Sequence, residues 1–257
     1  MENNDSIQRN TRWVQTFDRI LEMLNLDAER PVSVLKIEDG REVIVVQPNA
    51  FTISRIYATG RPDGMRPHGV DSYYDYFFAK LREHEEQHGT REGFQLEPEE
   101  WQTLFEESFH RYTRYLLFAG IKRWKDVQRD TAANIAVTNL ARQCAPSDIA
   151  WQSYQYKGYM LMMHSIANAE LSLQDDDTAT ALQHIDTGIR QIGEFCGECL
   201  REEHGEAENI TRERYLNNLI EFRSDLEALD DTEDTEAESD EEDILAELER
   251  LLNEDEA

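Results

Sequence analysis

Between Trp151 and Leu200 the chain alternates apolar and polar positions with a helical period. Apolar or small residues recur at Trp151, Tyr154, Gly158, Leu161, Ile166, Ala169 and Leu173. After the polar break Gln174 to Thr178, a second stripe runs Leu182, Ile185, Ile189, Ile192, Cys196 and Cys199 in steps of three and four. Each stripe marks one buried face of an amphipathic helix, so the stretch predicts two helices folded back on each other.

The same reading organises the rest of the chain. Trp13, Phe17, Ile20, Leu21 and Leu24 predict a helix over 11–26 that ends before Pro31. The period then falls to two. Val32 to Ile37 and Glu42 to Val46 are β-rich runs around Asp39-Gly40, and Phe51 to Tyr57 supplies a third, which predicts a small antiparallel sheet. Gly60-Arg-Pro-Asp-Gly64-Met-Arg-Pro67-His-Gly69 is the densest turn region, and Asp71 stands where it would cap the next helix. That helix buries Tyr74, Phe77, Phe78 and Leu81. The next starts at Glu97-Pro98 with the stripe Trp101, Phe105, Phe109, Tyr112 and Leu116. Gly120 interrupts it. Ile121, Trp124, Val127, Ile135 and Leu140 continue as another helix to Ala145-Pro146, and a last one covers Thr211 to Leu229 with Tyr215, Leu219 and Phe222.

The expected fold is therefore α+β and mostly α: a three-stranded antiparallel sheet near the N-terminus, packed on a helical body with a helical hairpin. The expected divisions are an N-terminal helix (1–30), the sheet, turn region and first body helix (31–95), the helical body (96–229) and a tail (230–257).

Charge changes the picture only at the end of the chain. There are 54 acidic against 26 basic residues, a net charge of −28, and residues 225–257 hold 17 acids and one base. A run such as DDTEDTEAESDEED repels itself and predicts an acidic disordered tail. Behind it, Ile244, Leu245, Leu248, Leu251 and Leu252 form a short apolar-faced segment suited to docking in a partner's groove. Direct binding to nucleic-acid phosphates needs the opposite sign of charge. No run of 18 apolar residues and no secretory signal is present, so neither a membrane span nor export is expected, and three Cys fit reduced thiols in a cytoplasm.

Two short patterns carry candidate chemistry. His84-Glu85-Glu86-Gln87-His88 matches H-E-x-x-H, in which two imidazoles on one helical face ligate zinc and the Glu (here Glu85) is the general base. Against that reading, the flanks are highly charged, Gly89 stops the helix, and no third ligand stands at a telling distance, although folding can bring His68, His110 or Glu106 near. Cys196-Gly-Glu-Cys199 is a lone C-x-x-C, and both thiols complete an apolar stripe, which reads as core. In the turn region Arg61, Asp63, Arg66, His68 and Asp71 form a candidate loop site, where the arginines either grip an anion or brace the loop.

Ala169, Ala181 and Gly188 fall where a tetratricopeptide repeat wants small residues, and Ile185 where it wants a large one, so the helical pair is similar to one tetratricopeptide hairpin. Gly40-Arg-Glu-Val43, Gly60-Arg-Pro-Asp-Gly64, the segment His68 to Tyr76 and the stretch Ala181 to Ile189 resemble a family of uncharacterised bacterial proteins of planctomycete type. The resemblance spans roughly residues 40–200. Many members end in a UvrB/UvrC-type motif, a helical hairpin for protein docking; here the acidic run and Ile244 to Leu252 stand in its place. The resemblance implies no enzyme activity that can be carried onto a residue of this chain; no cofactor is expected, with zinc as the alternative. The expected function is a cytoplasmic, non-enzymatic interaction or adaptor protein with an unknown protein partner. The alternatives are a zinc-dependent hydrolase built on His84, Glu85 and His88, and an acidic mimic of nucleic acid that binds basic proteins.

Overall fold

The computed structural model of the chain describes residues 19, 22–24, 26, 32–49 and 52–228. Within the helix expected over 11–26, residues 19 and 22–24 are helical. The remainder of that helix, the tail over 230–257 and its segment Ile244 to Leu252 lie outside the described residues.

The protein is mostly helical with one three-stranded antiparallel sheet in the order β1 (Val32–Lys36), β2 (Glu42–Asn49), β3 (Thr52–Tyr57). Gly40 turns the first hairpin with φ of +84°, a conformation that the absence of a Cβ makes cheap. The register pairs Val34 with Ile44 and Ile44 with Ile56, and it shifts between Val46 and Asn49, on either side of Pro48. As the central strand, β2 buries Val43, Ile44, Val45 and Val46 in succession, so it shows no alternation. Leu24, Leu26, Leu35, Ile37, Ile53 and Tyr57 pack around Val43 and Val45.

Eight helical segments follow: α1 (Tyr73–His88), α2 (Pro98–Gly120), α3 (Trp124–Cys144), α4 (Ser147–Tyr154), α5 (Lys157–Leu173), α6 (Thr178–Arg201), α7 (Gly205–Ile210) and α8 (217–228). A π-turn over Thr211–Leu216 joins the last two. By contacts the chain divides into two compact units, Met1–Asp126 with Ala136–Trp151, and Val127–Ile135 with Gln152–Ala257. In the first, Phe77, Leu81, Phe94, Leu96, Trp101 and Leu104 form a core with Val137, Leu140, Ala141 and Ala150. In the second, α5, α6 and α8 pack through Leu161, Ala169, Ala181, Ile185, Ile192, Leu219 and Leu226.

Three helical expectations need correction. The first helix of the hairpin does not begin at Trp151: the chain turns at Gln155-Tyr156, leaving Trp151 and Tyr154 on α4. Gly158 opens α5 where a Cβ would stand 2.6 Å from Thr211 Cγ2, so a glycine lets the π-turn approach. The last helix, expected from about Thr211, is instead the end of a helical run that opens at Gly205 and passes through the π-turn over Thr211–Leu216 into α8. The helix after the turn region is capped by Ser72, whose Oγ accepts from Asp75 N at 3.0 Å, and not by Asp71. The turn of the hairpin is as expected, with Asp177 capping α6 through Thr180 N.

Candidate functional site

Helix α2 buries three charged side chains, Glu107, Arg111 and Arg114, while leaving Phe109 and Leu116 exposed. Pro98 sits in the first turn, and Glu97 N donates to Glu100 Oε2 at 2.9 Å, which fixes the start of the helix. Its inward face carries Trp101, Leu104, Glu107, Ser108, Arg111, Arg114, Tyr115 and Phe118. Its opposite face carries Phe109 and Leu116. Of the stripe expected to be buried, Trp101 is, Phe105 and Tyr112 are half-buried with Phe105 packed against the first core, and Phe109 is 63% exposed and Leu116 38% exposed. That expectation is overturned at Phe109 and Leu116.

The inward charges hold the turn region in place. Glu107 is 1% exposed, and its carboxylate accepts from Arg61 Nη1 at 3.1 Å, from Tyr73 N at 2.8 Å and from Arg111 Nη2. A buried carboxylate without such partners would be prohibitively unfavourable. It also lies at the N-terminus of α1, where backbone N–H groups favour a negative charge. Arg114, equally buried, donates from Nη1 to the carbonyls of Tyr57 at 2.9 Å and Gly60 at 2.8 Å. Helix α2 thus ties down both the end of β3 and the loop behind it.

The five candidate loop residues separate into two groups. Arg61 faces inward, and Asp63 pairs with it from the surface. Arg61 Nη2 donates to Asp63 Oδ2 at 2.7 Å, its guanidinium covers the Tyr73 ring at 4.7 Å, and the hydrogen bond from Arg61 holds the Asp63 carboxyl below its ordinary range. Arg66, His68 and Asp71 face outward. Arg66 and Asp71 form an exposed ion pair at 3.0 Å, and the His68 ring stacks on Tyr76 at 3.8 Å. An anion grip was one of the two readings for Arg61. The anions it meets are the chain's own Asp63 and Glu107.

The segment Gly60 to Gly64 is a fitted piece of backbone. Pro62 O accepts from Tyr57 N at 2.8 Å, and Asp63 Oδ1 accepts from Met65 N at 2.9 Å. Gly64, with φ of +77°, lies so close under the Tyr57 ring that a Cβ would fall 2.2 Å from Cε2. Arg41 also covers that ring at 4.3 Å. A glycine is needed here for both conformation and space.

His84 and His88 share a helical face and stack with ring centroids 4.3 Å apart. Their ring nitrogens meet backbone: His84 Nε2 is 3.1 Å from Glu92 O, and His88 Nδ1 is 2.9 Å from His84 O. Glu85 pairs with Arg91 at 3.1 Å. The apolar stripe of α1 stops at Leu81, and His88 is exposed. Among the described residues, no group of three or more His, Cys, Asp and Glu side chains is placed to hold a metal ion. The arrangement closes a helix end against the loop over 89–93.

Cys196 and Cys199 are free and buried on α6. Burial raises both thiols, with neighbouring carboxylates adding, and Cys199 is pushed up to about 11. A redox pair needs the opposite shift.

Comparison with protein-family models, curated proteins and solved structures finds no match to this chain. Among the described residues, no helix is long and apolar enough to cross a membrane.

Proposed function

We propose that this chain is a cytoplasmic, non-enzymatic protein-interaction or adaptor protein, and that its docking surface is the outward face of α2 beside the 60–69 loop. The observation that carries the reading is the inversion of α2. Phe109 and Leu116 stand in water while Glu107, Arg111 and Arg114 are buried on the same helix. Exposed single apolar residues are ordinary, but Phe109 and Leu116 share one face of a well-anchored helix, flanked by half-buried Tyr112, and such a continuous apolar face suits an interaction site. The loop beside it is rigidly braced and offers Met65, Arg66, His68 and Asp71 to solvent, so a partner meets a preformed surface at little ordering cost. The resemblance to the planctomycete-type family, which implies no enzyme activity, fits this reading. The tail segment Ile244 to Leu252 supplies a second docking element on the same proposal.

The test is affinity capture from a cytoplasmic extract with the full chain and with Phe109→Glu and Leu116→Glu. Proteins retained by the wild type and lost from both variants support the reading. Capture that ignores both substitutions removes α2 from the docking surface.

A further inference from the structure

The outward face of α2 has a centre and two ends. Phe109 is its most exposed apolar residue, Phe105, Tyr112 and Leu116 lie beside it, and Gln102 and Gly120 close the face at either end, as the 100° helical step dictates. Its charges are not evenly spread. Glu99 and Glu106 are exposed in the N-terminal half, while Lys122 and Lys125 are exposed just beyond the C-terminal end. None of the four forms an ion pair among the described residues.

A helix that is acidic at one end and basic at the other complements an inverted copy of itself. Resting on the reading of this face as a docking surface, we propose that its occupant is a second copy of this chain, with two α2 helices crossing antiparallel about a two-fold axis near Tyr112-Thr113. A two-fold interface is self-complementary, so one patch serves both copies. With the axis between 112 and 113, Phe109 of each copy meets Leu116 of the other. At Gly120 no atom lies within 4 Å of where a Cβ would be, which leaves the C-terminal end of the face open to the other copy. The same register sets Glu99 and Glu106 beside the Lys122 and Lys125 end of the other copy. A parallel pairing would set Glu on Glu and Lys on Lys, which charge repulsion disfavours.

Light scattering of the full chain during size exclusion, at about 100 μM, tests the proposal. The expected mass is twice the 30.0 kDa of one chain. Phe109→Glu and Leu116→Glu each return it to 30.0 kDa with unchanged far-UV circular dichroism, since both side chains are exposed and the fold does not rest on them. Salt screens both the flanking pairs and the mutual repulsion of two chains of net charge −28, so charge reversal rather than salt tests the pairing. Chains carrying Glu99→Lys with Glu106→Lys, or Lys122→Glu with Lys125→Glu, associate poorly alone and pair when mixed.

A wild-type mass of 30.0 kDa at that concentration overturns the proposal. So does a doubled mass that survives both glutamate substitutions, or charge-reversed chains that fail to pair when mixed. The outcomes also separate the two readings. A monomer whose capture of another protein is lost with Phe109→Glu keeps the docking face and rejects the second copy. A monomer whose capture ignores Phe109→Glu rejects both.

Discussion

Glu107 and Arg61 meet at 3.1 Å between the middle of α2 and the loop that follows the sheet. The side chain of Glu107 has no solvent exposure and that of Arg61 only 10%, so the contact is largely desolvated. Removing one partner strands the other's charge. Glu107→Ala leaves Arg61 and Arg111 without their shared carboxylate and is expected to destabilise the fold by about 3–5 kcal/mol. Urea denaturation measures this. Glu107→Gln keeps the acceptor for Tyr73 N and loses less. Equal stability of wild type and Glu107→Ala would show that the cluster is not the clamp described.

The α2 inversion also shows where the sequence misleads. Two stripes compete on that helix. Trp101, Phe105, Phe109, Tyr112 and Leu116 are uniformly apolar, whereas Leu104, Ser108, Arg111, Tyr115 and Phe118 are interrupted by a hydroxyl and a charge. Hydrophobicity alone selects the first, and the fold buries the second. The missing information is non-local: Arg111 is tolerable inside only because Glu107 is there, and Glu107 only because Arg61 and the start of α1 arrive from another part of the chain. The sheet and the α5–α6 hairpin were legible because their signals are local, a Gly turn and a helical period. For the same reason, Gly120 and Pro146 marked helix boundaries correctly. A signal for the buried cluster does exist, in the spacing of Glu107, Arg111 and Arg114 along one side of a helix that also carries Tyr115 and Phe118.

Helices α5 and α6 approach closely at Gly188. A Cβ there would stand 2.2 Å from Ser165 Oγ, 2.6 Å from its Cβ and 2.9 Å from Leu219 Cδ1. Alanine improves helix propensity by about 1 kcal/mol. Overpacking of this severity costs about 1–3 kcal/mol and forces the helices apart. Gly188→Ala is therefore expected to lower stability despite the better propensity, and Ser165→Gly in the same chain recovers part of the loss. A melting temperature raised by Gly188→Ala alone would contradict the close approach.

His164 of α5 is half-buried, with Nδ1 3.0 Å from Thr131 Oγ1 of α3. Burial lowers its pKa from the ordinary 6.5; the Gln128 backbone opposes that shift and the nearby His184 adds to it. With the folded value depressed, the unfolded chain takes up a proton first as pH falls. The contribution of this residue is complete above 6.5 and is lost progressively as pH falls from there to the lowered folded value. Denaturation midpoints should drop over that interval in the wild type and drop less in His164→Gln. The proton NMR titration of the imidazole gives the direct check: a folded midpoint above 6.5 would reverse the sign.

The buried thiols allow a comparison of reactivity with fold. Alkylating reagents attack the thiolate, and Cys199 is held at about 11 by burial and by its acidic neighbours Glu198, Glu202 and Glu208. At pH 8 its thiolate fraction is roughly two orders of magnitude below that of an ordinary cysteine with a pKa near 8.5. Burial of the side chain, which is 2% exposed, slows it further. Labelling with iodoacetamide at pH 8 should thus be slow at Cys196 and Cys199 in the folded protein and fast in urea. Faster labelling at half-buried Cys144 is expected, because its neighbour Arg91 opposes the upward shift that burial imposes. Rapid modification of Cys199 in the folded chain, or ready formation of a Cys196–Cys199 disulfide under mild oxidant, would assign the pair a redox role instead of a place in the core.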